Sequence, residues 1–228
     1  SKIALPTLSR LQDEPERFRK YYRTAIMIVV TLGMPISCFA FADAALIVQV
    51  ILGPQWNEVV PIFRLLAPAA FLVTLESATM WLFVPLGRSD RQLKLSLARS
   101  AFTISAFVIG LAWGPIGVAA AVSIARCALI VPELLYAQRG TPVRPKDLLL
   151  AVWRPALTSF AAAAALSLFS SRVDVTSPIL ELLLHSLFFA LLYLTAWLLT
   201  PGGWSTLKEI TSILASATRK KQPRSDSA

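Results

Sequence analysis

The sequence predicts an all-α polytopic membrane protein, a bundle of six transmembrane helices with both termini cytoplasmic. Three observations predict it: an apolar composition, six apolar runs of membrane-spanning length, and basic residues that alternate from one connection to the next. Of 228 residues, 56% are apolar and only 15% are charged, and the mean hydropathy is +0.64. A soluble domain carries about 25% charged residues. A run of about 20 apolar residues crosses a hydrocarbon core about 30 Å thick, and six such runs use most of this chain. The composition excludes a disordered chain, a disulfide scaffold and an ordinary soluble enzyme.

The expected spans are residues 22–42, 59–86, 93–113, 116–137, 150–170 and 178–200. A cytoplasmic linker, 1–21, precedes them, and a cytoplasmic amphipathic and basic tail, 201–228, follows. Lys and Arg counts taken connection by connection, each with the adjoining span ends, run 6, 1, 4, 0, 4, 1 and 5, and Arg126 within the fourth span completes the 22. The third segment contributes Arg88, Arg91, Lys94 and Arg99. Basic loops stay in the cytoplasm, so the alternation puts both ends inside and leaves three short outer turns. The net charge of +9 is then a property of cytoplasmic loops and not a nucleic-acid footprint. Ser1 opens the chain without an initiator Met, which points to a fragment or a processed product.

The spans differ in character. The last is dense in Leu and Phe and is expected to face lipid. The fifth carries Ala161 to Ala165 in a row; small residues let helix backbones approach closely, so it is expected to pack tightly on a neighbour. Cys38 and Cys127 sit in apolar runs and read as buried small hydrophobes.

No catalytic or metal-binding set is present. One histidine, His185, cannot make a two-histidine zinc motif, and no phosphate-binding Gly-Lys-Ser/Thr loop occurs. His185 reads as a packed or interfacial residue, and Asp43 and Asp174 lie at outer ends of spans. Neither an enzyme activity nor a cofactor is expected.

Ionisable groups inside apolar spans are costly and usually face a cavity or a partner. Four stand out. Arg126 lies near the middle of the fourth span, with Glu133 seven residues later on nearly the same side of a 3.6-residue helix. Glu76 lies in the inner half of the second span, and Arg64 in its outer half. One reading gives a polar cavity in which Arg126 and Arg64 offer planar donors to phosphate oxygens. The other gives Arg126 an ion pair with Glu76 or Glu133 that ties two spans together. Pro35, Pro61, Pro68, Pro85 and Pro132 each remove a backbone donor within or beside a span, as helices lining a cavity do.

Several strings resemble the Wzx-like oligosaccharide/polysaccharide flippases of the multidrug/oligosaccharidyl-lipid/polysaccharide exporter superfamily. Pro6-Thr7-Leu8-Ser9-Arg10, followed by a basic stretch to Arg19, is similar to that family's central cytoplasmic linker. Leu52-Gly53-Pro54-Gln55-Trp56 is similar to its Gly-x-x-Trp element, and Gly114-Pro115-Ile116-Gly117 to a tight outer turn. The resemblance implies that the six spans form one lobe of a two-lobe fold, the C-terminal half of a flippase of the bacterial inner membrane. It implies alternating-access export of an undecaprenyl-pyrophosphate-linked oligosaccharide for exopolysaccharide, capsule or lipopolysaccharide synthesis, with a missing N-terminal lobe or a second copy, and membrane lipids, as partners. Two alternatives remain. One is a cation-coupled drug exporter of the same superfamily, with Glu76 or Glu133 binding the ion. The other is a non-transporting membrane subunit of a polysaccharide assembly complex.

Overall fold

A computed structural model describes residues 14–170, 177–200 and 203. The string at 6–13, Arg172, Asp174 and the basic tail lie outside the described residues. Among the described residues seven α-helices follow in order: α1 Pro15–Ala42, α2 Ala44–Leu52, α3 Val60–Phe83, α4 Ser89–Gly110, α5 Gly114–Gln138, α6 Pro145–Ser170 and α7 Pro178–Leu199. Short 3₁₀ turns, Pro54–Val59 and Leu111–Trp113, precede α3 and α5. Proline stands in the first turn of α1, α3, α5 and α7. There its missing N–H would have had no helical partner anyway.

Helices α1, α4 and α6 begin several residues ahead of the expected spans. Hydropathy marks only the apolar stretch of a helix, whereas the charged first turns are good helix formers whose heads reach water. Arg99, grouped by charge with the basic loop although it falls within the expected 93–113 span, lies inside α4.

Among the described residues, five continuous helical runs are long and apolar enough to cross a bilayer, and one, Ser89–Gln138, is 50 residues long. Straight, that run would extend about 75 Å, more than twice a bilayer core. It instead folds back at Gly114, where φ is +70°, a backbone region that glycine enters freely. Beside the corner, a Cβ on Gly110 would stand 2.6 Å from the Val118 Cα. Only a residue without a side chain lets α4 and α5 close so sharply.

The centre of the bundle is α1. Phe18, Tyr22, Ile26, Val30 and Met34 are fully buried, spaced at four-residue steps along one helical face. The most extensive helix pair is α1 with α6, and α6 meets it with Ala151, Ser159, Ala162 and Leu166, all buried. The fifth span does pack closely, although Ala162 alone of its alanine run is buried and Ala161 and Ala164 are exposed.

On α7 one stripe, His185, Phe189, Tyr193 and Trp197, is buried. Leu180, Leu183, Leu187 and Leu191 are half or more exposed. Surfaces this apolar are stable against lipid and not against water. The chain is a multi-pass membrane protein whose outermost element is α4, in which only Gly110 is buried.

Candidate functional site

Three of the four singled-out groups meet on one charged chain, and a residue outside that set joins them. Arg126 is the central residue of α5 and donates through Nη1 to the Glu76 Oε1 of α3. Glu76 Oε2 accepts from Arg99 Nη1 of α4 at 3.1 Å. Arg99 then closes a two-toothed pair on Glu133 of α5, Nε to Oε1 at 2.9 Å and Nη2 to Oε2 at 2.7 Å. The order is Arg126, Glu76, Arg99, Glu133: two positive and two negative charges. Three helices are bound by it, and every carboxylate oxygen in it has a donor.

Such a neutral node is the condition under which charges persist at depth in a membrane. The Glu133 side chain is only 6% exposed, while that of Arg126 is 27% exposed. Arg126 therefore keeps unsatisfied donors on an accessible edge although one is engaged. Arg126 and Glu133 share a side of α5 but take different partners.

Arg64 stands apart. It is exposed near the start of α3 and has no ion-pair partner among the described residues. It lines a cavity of about 510 Å³ with Phe41, Pro68, Ser123, Ile124 and Cys127. A second cavity of about 510 Å³ shares Phe41, Pro68 and Cys127 and continues past Phe71 and Phe160 to Ala164. The two form an apolar groove along α1, α3, α5 and α6 with Arg64 toward one end. Pro68 lies inside α3, and beside it the Ser123 hydroxyl donates to the Leu65 carbonyl. A hydroxyl from the next helix thus serves a backbone that proline has perturbed. Cys127 is exposed to this groove and Cys38 is buried, so only Cys38 behaves as the sequence suggests.

Two features escaped the sequence reading. Arg99 is one. The other is a buried pair between His185 Nδ1 on α7 and Asp43 Oδ2 at the α1–α2 junction, 3.0 Å apart, with His185 1% and Asp43 7% exposed. Among the described residues no group of three His, Cys, Asp or Glu could hold a metal.

At the other end of the bundle, Arg19 of α1 grips Asp147 of α6 with two bonds of 3.1 Å. Asp147 also accepts from the Arg144 N–H at 2.8 Å, which caps the first turn of α6.

Comparison with known proteins bears out the resemblance to Wzx-like flippases. A family model described as "Polysaccharide biosynthesis protein" matches residues 1–61. The lipopolysaccharide biosynthesis protein WzxC of Escherichia coli (strain K12) is 23% identical over 110 residues, 48% of this chain and 22% of that protein. Among solved structures, the lipid II flippase MurJ in an inward closed conformation superposes with a TM-score of 0.67 at 19% identity. That superposition covers 85% of this chain and 41% of MurJ. The likeness establishes a flippase-like helical fold, and the matches take in less than half the length of each relative.

Proposed function

We propose that this chain forms one six-helix lobe of a transporter that flips lipid-linked oligosaccharide units across the bacterial inner membrane, for polymers of the exopolysaccharide, capsule or lipopolysaccharide kind. The single observation that carries the proposal is the apolar groove bearing the exposed Arg64, beside the node that carries Arg126. A polyprenyl-linked pyrophosphate presents the matching chemistry, an anion on a long apolar chain. Arg64 and the accessible edge of Arg126 would hold the pyrophosphate oxygens in turn, and no covalent step is required. Each of the six long helices would cross the membrane, with the termini and the basic loops cytoplasmic. A second lobe, from the same polypeptide or a second copy, would close the passage, and movement of one lobe against the other would expose it alternately to each side.

Full engagement of Glu76 and Glu133 by arginine favours this reading over a cation-coupled drug exporter, which needs a carboxylate free for the ion. The test is polymer export in cells that carry Arg64→Ala or Arg126→Ala in the intact protein. Loss of export at normal protein abundance supports the proposal; normal export with both variants removes it.

A further inference from the structure

A separate cleft lies between α4 and α5, on the side of Arg99 away from Glu76. Its volume is about 400 Å³, and Leu95, Ala98, Leu129, Pro132, Leu135 and Tyr136 supply most of its wall. The one charged pair in that wall, Arg99 with Glu133, is closed on itself. The cleft runs along α5 from Leu129 to Arg139 at the helix end. Ten residues of helix span about 15 Å, the thickness of one leaflet of a core of about 30 Å.

Arginines are gathered at its open end. Arg88 donates to the Arg139 carbonyl at 3.0 Å and to the Gly140 carbonyl at 2.5 Å. Arg91 donates to the Arg139 carbonyl at 3.0 Å. These bonds fix two guanidinium groups against the turn while leaving further N–H donors unspent. Arg139 is exposed, and none of the three has an ion-pair partner among the described residues. Asp90, exposed on the first turn of α4, is the acidic residue nearest in sequence to Arg88 and Arg91. The end of the cleft is thus net positive, and its depth is apolar.

From this juxtaposition we infer that the α4–α5 cleft binds one anionic phospholipid of the adjacent leaflet, its phosphate on Arg91 and Arg139 and one acyl chain laid along Leu95, Leu129 and Leu135. The charge is complementary, the cleft is one leaflet deep, and basic pockets between transmembrane helices recognise anionic headgroups. The site lies on a different face of α5 from the Arg64 groove and requires only that the chain is embedded in a membrane.

The experiment uses the purified protein in bilayer nanodiscs. A phosphatidylglycerol carrying a diazirine in its acyl chain is photolysed there, and labelled peptides are mapped. A phosphatidylcholine carrying the same diazirine is the comparison. The expected result is labelling of peptides 95–98 and 129–136 by the anionic lipid, about tenfold above the zwitterionic one. Arg91→Ala/Arg139→Ala should remove that preference. Leu135→Trp, at a site already 47% exposed, should block the cleft and cut the label while the arginines remain.

Equal labelling by both lipids overturns the inference. So does a preference that survives the double arginine variant, or labelling that Leu135→Trp leaves intact. An absence of label in 129–136, as expected if another protein segment fills the cleft, overturns it as well. The readout is chemical and independent of transport, so a failure of the flippase proposal would leave it standing, and the reverse.

Discussion

Glu133 is held from the neighbouring helix: Arg99 of α4 donates to it at 2.9 and 2.7 Å, while Arg126, seven residues earlier on the same helix, turns to Glu76. This exchange makes Arg99 the keystone, since it is the one residue of the four that touches both carboxylates. Helix α4 buries only Gly110, so the pair adds a polar tie to the close packing of α4 on α5.

Glu133→Ala should therefore destabilise the protein by about 3 kcal/mol, because Arg99 keeps only its bond to Glu76 and the node is left with one uncompensated positive charge. Arg99→Met/Glu133→Leu should recover a large part of that loss, because both charges leave together. Thermal unfolding in detergent checks the pair. A double variant worse than the single one would show that the node holds α4 in some other way.

Arg64→Ala should change stability by less than about 0.5 kcal/mol, as expected of an exposed side chain with no ion-pair partner among the described residues. If polymer export falls in the same variant, the loss belongs to substrate handling. Arg126→Ala should do both, lowering stability and export together, because it strips one donor from Glu76. Parallel measurements of melting temperature and export separate these patterns.

Gly110→Ala should cost about 1–3 kcal/mol, because the added methyl meets the α5 backbone and not a yielding side chain. Gly87→Ala is the contrast. No atom lies within 4 Å of its Cβ position, and its cost comes only from φ +65°. Unfolding midpoints of the two variants distinguish steric from conformational loss.

Asp43→Ala should lower stability by about 2 kcal/mol, since it leaves the buried His185 ring without its hydrogen-bond partner. Asp43→Asn keeps an acceptor and should lose less. Equal losses for the two would mean that the pair contributes packing only.

Cys127 should react with a small maleimide in the solubilised protein several-fold faster than Cys38. Cys127→Ala should remove the fast phase, and a fast phase that persists would contradict the open groove along α5.

Much of this architecture is legible in the chain. Apolar runs locate every long helix, and Gly114-Pro115 marks the fold-back of α4 onto α5. Arg126 and Glu76 are conspicuous because each interrupts an apolar stretch. Arg99 is not, because α4 opens with Arg91, Lys94 and several serines, so an arginine in its third turn reads as one more loop cation. Its role depends on Glu133, 34 residues away, and no spacing rule connects positions on separate helices. The same holds for His185 and Asp43, which are 142 residues apart. Sequence shows where a charge is expensive, and packing decides which partner removes the expense. Arg64 is the converse case: its place in the outer half of a span is legible, and its lack of an ion-pair partner among the described residues emerges only from the fold.

The charged node also bears on how the protein is made. Glu76 leaves the ribosome 23 residues before Arg99 and 50 before Arg126. An ionisable side chain near the centre of an inserting helix costs about 3 kcal/mol when it is alone. Helix α3 therefore enters the insertion machinery carrying a carboxylate whose partners have not yet been synthesised. Its entry is eased if it waits at the lateral gate until the α4–α5 hairpin arrives with both arginines. Bilayer entry of these three helices is then a single shared event, timed by the appearance of two arginines.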